Sequence, residues 1–143
     1  MKNILTLIIA IVMASCVVYG QSTLTVTVKN IREAKGNIRV GLYTKEEDFL
    51  KRIYQGRVVK ATGTEVTVVF DNLPAGDYAI SIVHDENENE VLDSNKFGIP
   101  KEGYCFGNNV FGKFGPPDYS KVKITLGTAP VTQILTMKYL GQG

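Results

Sequence analysis

The chain has 143 residues, 44% of them hydrophobic, and a formal net charge of +2. That is sequence for one domain with a core of its own. No basic block interrupts the near-neutral balance, which argues against a nucleic-acid surface.

The first element is a leader. Lys2 supplies a positive start, and Ile4 to Met13 is an apolar run broken only by Thr6. The run is too short for a comfortable membrane span and fits a signal peptide over residues 1–20. Small residues follow at Ala14, Ser15 and Gly20, so cleavage would leave Gln21 as the mature N-terminus. An exported protein follows, periplasmic, cell-surface or secreted. An uncleaved anchor is disfavoured because no stop-transfer charge cluster comes next. Val12-Met13-Ala14-Ser15-Cys16 also resembles a lipobox. Lipidation of Cys16 would make a lipid-anchored surface protein, the one route to a membrane. The apolar Val17-Val18-Tyr19 that follows favours simple secretion. After either cleavage Cys105 is the one cysteine inside the domain, so no internal disulfide can form. It reads as a buried thiol.

Residues 21–143 alternate with period two, which predicts strands. Leu24, Val26 and Val28 form one set, Ile38, Val40 and Leu42 the next. Val66, Val68 and Phe70 follow, then Tyr78, Ile80 and Ile82. Val122, Ile124 and Leu126 come later, and Leu135, Met137 and Tyr139 close the series. Gly56 to Lys60 adds an edge strand. Lys35-Gly36-Asn37, Ala61-Thr62-Gly63, Leu73-Pro74-Ala75-Gly76-Asp77 and Gly127-Thr128-Ala129-Pro130 punctuate them as turns. One helical turn is expected at Lys45 to Arg52, capped by Thr44, with Phe49 and Ile53 inward. The sum is an all-β sandwich, immunoglobulin-like or transthyretin-like, of about seven strands.

His84 to Tyr119 lacks alternation and reads as one long loop. Its aromatics (Phe97, Tyr104, Phe106, Phe111, Phe114, Tyr119) argue for an ordered loop folded back over the sandwich. Self-packing is the favoured role of these rings. The alternative is a recognition loop anchored by Tyr104, Phe106 and Phe114.

The loop opens on an acidic turn, His84-Asp85-Glu86-Asn87-Glu88-Asn89. Asp85, Asn87, Asn89 and Asp93 stand at relative positions 1, 3, 5 and 9, the spacing that presents oxygens to calcium in EF-hand-like loops. Val91 can add its carbonyl at position 7. Position 6, normally Gly, is Glu90, and position 12, normally a bidentate Glu, is Lys96. Glu102 is a weaker substitute ligand. Because the bidentate residue is missing, an Asx-rich turn bonded to its own backbone outweighs calcium. His84 shares the inward face of Ile80 and Ile82. A structural His pinning the loop is favoured over a general base with Asp85 or a nucleophilic dyad with Cys105.

Several strings together resemble one family. They are Gly36-Asn37-Ile38-Arg39-Val40, Leu73-Pro74-Ala75-Gly76-Asp77-Tyr78-Ala79, His84-Asp85-Glu86-Asn87, Leu92-Asp93, Gly98-Ile99-Pro100-Lys101-Glu102-Gly103-Tyr104 and Phe114-Gly115-Pro116-Pro117. The chain resembles the domain-of-unknown-function 2141 family of exported bacterial proteins. Glu90 stands where that family's pattern has Gly. The resemblance implies a fold neighbourhood rather than a reaction. The Leu-Pro-x-Gly-x-Tyr turn is also similar to that of transthyretin-like and carboxypeptidase-regulatory-like sandwiches, which implies an accessory or binding module. The combined expectation is an exported non-enzymatic module whose partner is a protein or envelope component. The alternatives are a small hydrolase or metal enzyme centred on His84, Asp85 and Glu102, and the form anchored through Cys16.

Overall fold

The computed structural model describes residues 20–141. Residues 1–19 of the expected leader, Cys16 among them, lie outside the described residues.

The fold is all-β, with two sheets packed face to face. Eight strands run in chain order: β1 (Gln21–Lys29), β2 (Asn37–Tyr43), β3 (Gln55–Lys60), β4 (Glu65–Pro74), β5 (Gly76–Asp85), β6 (Gly103–Phe106), β7 (Lys123–Leu126) and β8 (Val131–Thr136). The smaller sheet has the order β4-β1-β8, with β8 parallel to β1. The larger has the order β3-β2-β5-β6, and β7 pairs with the first part of β5. Alternation decides which side chains meet between the sheets. Leu24, Val26, Val28, Phe70 and Leu135 of the small sheet face Ile38, Leu42, Ile80, Ile82 and Cys105 of the large one, all of them buried. Burial of this apolar surface is the main favourable term in folding. The β4–β5 turn is locked by the Tyr78 hydroxyl, which donates to the Pro74 carbonyl at 2.6 Å.

Several details differ from the sequence reading, among them Val122, which ends a short helical turn at Tyr119–Val122 and stands outside β7. The segment 84–119 is not one loop. His84 and Asp85 end β5, and β6 interrupts the remainder. Gly103-Tyr104-Cys105-Phe106 is too short for periodicity to separate from loop, so only its pairing with β5 reveals it. The last strand covers Val131–Thr136, although the alternation of Leu135, Met137 and Tyr139 runs on past its end. The predicted helical turn is a 3-10 turn at Glu46–Asp48 that begins after Lys45, with no side-chain cap. Phe49 packs inward there, but Ile53 is exposed because the chain has already turned outward to start β3.

The large sheet is apolar on its outer face as well. Tyr43, Ala79, Phe106 and Val122 form a second buried cluster there, joined by Phe49, Tyr104, Phe111 and Tyr119. Edge-to-face ring pairs connect Phe49 to Tyr43, and Tyr104 to Phe111. Much of the expected self-packing of aromatics is this cluster. Phe97 and Phe114 stay outside it and are exposed.

Candidate functional site

The acidic turn leaves the end of β5 at Asp85. Both oxygens of the fully buried Asp85 carboxylate accept backbone N–H groups, Oδ1 from Asn89 at 3.1 Å and Oδ2 from Glu90 at 2.9 Å. Glu102, also buried, closes the other side. Its Oε1 accepts the N–H of Glu86 and its Oε2 that of Asp93, both at 3.0 Å. Charge-assisted bonds of this kind are the stronger class, and buried N–H groups demand such partners. Two carboxylates therefore clamp the loop from inside.

The outer side of the turn is built from the other predicted ligands. Asn87 Oδ1 accepts the Asn89 N–H, and Asn89 Oδ1 accepts the Val91 N–H, which are Asx turns. The amides of Asn87 and Asn89 donate to the Asp93 carboxylate at 2.7 to 3.0 Å. Val91 projects into solvent. Glu90 takes φ 66, the left-handed conformation that a Gly would enter freely. The side chains of Glu88 and Glu90 turn away to Lys60 and to Arg39. The predicted residues are thus brought into one turn, but Asp85 and Glu102 face its interior while Asn87, Asn89 and Asp93 group on its outside. Among the described residues, no group of three or more His, Cys, Asp or Glu is arranged to hold a metal ion.

His84 lies at the inner edge of the core, fully buried, and both ring nitrogens are engaged. Nε2 donates to the Lys35 carbonyl at 2.7 Å, since a carbonyl can only accept. Nδ1 then accepts from the Tyr139 hydroxyl at 2.8 Å. The same hydroxyl accepts the Arg32 backbone N–H at 3.1 Å. Tyr139 reaches this position because Gly103, opposite His84 in the ladder, has no side chain. A Cβ there would sit 2.3 Å from the tyrosine ring. The Arg32 guanidinium stacks on that ring, 4.6 Å from its centroid, and grips Glu86 with two bonds of 2.7 and 2.9 Å. Glu86 holds the Arg32 pKa above its ordinary value, against burial, which lowers it. Burial pushes the Tyr139 phenol up, partly offset by the Arg32 N–H. Cys105 is fully buried, and desolvation pushes its thiol up to about 12. A thiol so held is a poor nucleophile at neutral pH.

Arg32 carries no local motif, and Tyr139 read only as an apolar position of the last strand, because their partners are far along the chain. A third feature falls on the expected recognition-loop alternative, since Tyr104, Phe106 and Phe114 all line it. An open groove of about 780 Å³ crosses the outer face of the large sheet. Its floor includes Val83, Tyr104 and Phe106, and Phe97 and Phe114 stand on its walls. Those two residues sit in matching strings, Lys96-Phe97-Gly98-Ile99-Pro100 and Lys113-Phe114-Gly115-Pro116-Pro117.

Comparison with known proteins bears on this geometry. Residues 26–134 match the family model described as "Uncharacterized protein conserved in bacteria (DUF2141)". The chain belongs to that family. No curated protein and no solved structure matches it. The matched span in this DUF2141 chain runs from β1 into β8, so it takes in the clamped turn, His84 and both Lys-Phe-Gly-x-Pro strings.

Proposed function

We propose that this DUF2141 protein is an exported, non-enzymatic β-sandwich module that acts by binding. The observation that supports this is the state of its chemistry-bearing side chains. His84, Asp85 and Glu102 are buried, and their polar atoms are bonded to the protein's own backbone and to Tyr139. A general base needs a proton to abstract within hydrogen-bond reach, and these groups are turned toward the fold. The groove is an open surface, and the segment that follows the clamped turn supplies its Leu92 and Ser94 wall. Export rests on the leader over residues 1–20. The test is turnover, measured with p-nitrophenyl acetate and p-nitrophenyl phosphate on protein recovered from the envelope or medium. No hydrolysis above buffer is expected. Saturable hydrolysis lost in a folded His84→Gln variant overturns the reading.

A second reading is a calcium ion on the outside of the turn. It is supported by the convergence of Asn87, Asn89 and Asp93 within hydrogen-bond distance. Rotating the two amides would direct oxygens, in place of N–H groups, at the space beside Asp93. Hard cations take such carbonyl and carboxylate oxygens. With calcium bound, millimolar calcium raises the Tm and chelator reverses the rise. An unchanged melting curve leaves the turn as an Asx scaffold.

A further inference from the structure

The groove on the outer face of the large sheet has a chemistry of its own. Its size falls within the range of small-molecule sites, about 300–1,000 Å³. Its walls come from two arms of the chain. One leaves the acidic turn and carries Phe97. The other follows β6 and carries Phe114. These are the two most exposed aromatic rings among the described residues, at 75% and 103%. Each sits at the same place in a Lys-Phe-Gly-x-Pro string, and the following Gly98 and Gly115 both take positive φ, 77 and 145. The two strings are alike in sequence but differ in backbone conformation, and each leaves a large apolar side chain in water at the rim of one apolar floor. Exposed apolar surface of that kind marks an interaction site.

The polar groups on the lining narrow the occupant. Lys113 and Lys138 are its charged residues, both exposed; the Lys138 ammonium lies over the Phe111 ring, 4.9 Å from its centroid, and neither lysine is ion-paired with a carboxylate among the described residues. The lining contains no Asp, Glu, Asn, Gln or Arg. A sugar or a peptide backbone needs several hydrogen-bonding partners to replace its water, and besides the lysines the lining side chains offer the hydroxyls of Ser94 and Tyr104 and those of Tyr43 and Ser81, which bond each other. This surface provides few. A hydrocarbon chain needs none, and a single anionic head is complementary to the two lysines.

We propose that the groove binds a single-chain anionic amphiphile, a fatty-acid carboxylate, with the chain between Phe97 and Phe114 and the head at Lys113 and Lys138. The inference rests on the reading of the protein as a binding module and names its ligand class.

The test is fluorescence titration of the purified protein with dansyl-labelled undecanoate, followed by displacement with dodecanoate. One-to-one saturable binding below the micelle concentration is expected. Because Phe97 and Phe114 are exposed, the double variant F97S/F114S should fold with an unchanged Tm and bind about tenfold more weakly or worse. The K113E/K138E variant should lose about tenfold for dodecanoate while binding of dodecanol stays within about twofold. Equal loss for the neutral alcohol overturns the assignment of the head. Absence of saturable binding, or binding unaffected by F97S/F114S, overturns the site. Sedimentation with anionic phosphatidylglycerol vesicles without displacement by dodecanoate overturns it in favour of a membrane surface. The hydrolysis assay is independent of every one of these results, so failure here leaves the non-enzymatic reading to be judged on its own.

Discussion

At the residue scale, burial decides what each reactive group can do. His84 is the chain's single histidine, and its position on the inward face of β5 was legible from a count in twos from Tyr78. What holds it was not legible. Lys35 and Tyr139 arrive from segments 49 and 55 residues away in sequence. Cys105 allows a sharper statement. Burial raises its native thiol from 9.0 to about 12. Above the lower value the unfolded chain has lost this proton and the native chain keeps it. The unfolded state then binds fewer protons, so stability falls as pH rises through that window. The Cys105→Ala variant should show a flatter alkaline fall than the wild type when urea unfolding is followed at stepped pH. Parallel slopes for the two proteins contradict the assignment.

At the element scale, the acidic turn is shaped more by its clamps than by its outward residues. Asp85 and Glu102 fasten four backbone N–H groups between them, those of Asn89, Glu90, Glu86 and Asp93. The order Asp-x-Asn-x-Asn already predicted side chains bonding their own backbone. Spacing left the role of Glu102 open, since it follows a second reversal of chain at Asn95–Ile99. Glu102→Gln keeps the shape but turns an amide donor toward one of the N–H groups. It should cost about 2 to 3 kcal/mol in urea unfolding. Faster hydrogen exchange over 86–100 should accompany it. A variant as stable and as protected as the wild type contradicts the clamp. Glu90 shows the same dominance of the framework. The clamp at its N–H forces a left-handed backbone on a residue that does not favour one.

At the scale of the whole molecule, the sequence by itself determined the class of fold, most strands, the leader expectation and the rings available for a surface. Those properties are local. Period-two patterning, turn residues and an apolar run are readable within a few positions because strand geometry repeats every two residues. Only the tertiary structure decided where the strands pair, that β6 exists, and which aromatics are core. Gly103-Tyr104-Cys105-Phe106 becomes a strand because the β5 edge offers it partners. Phe106 becomes core and Phe114 surface because one lies on the sheet and the other on a turn tip. The groove between Phe97 and Phe114 belongs to the same class of fact. Its walls are 17 positions apart along the chain, numbers 97 and 114, and pairing of β6 with β5 brings both arms over one apolar sheet face. Hydrogen-bond pairing and burial act across space without regard to sequence distance, so they assembled a surface that no single stretch of the chain encodes.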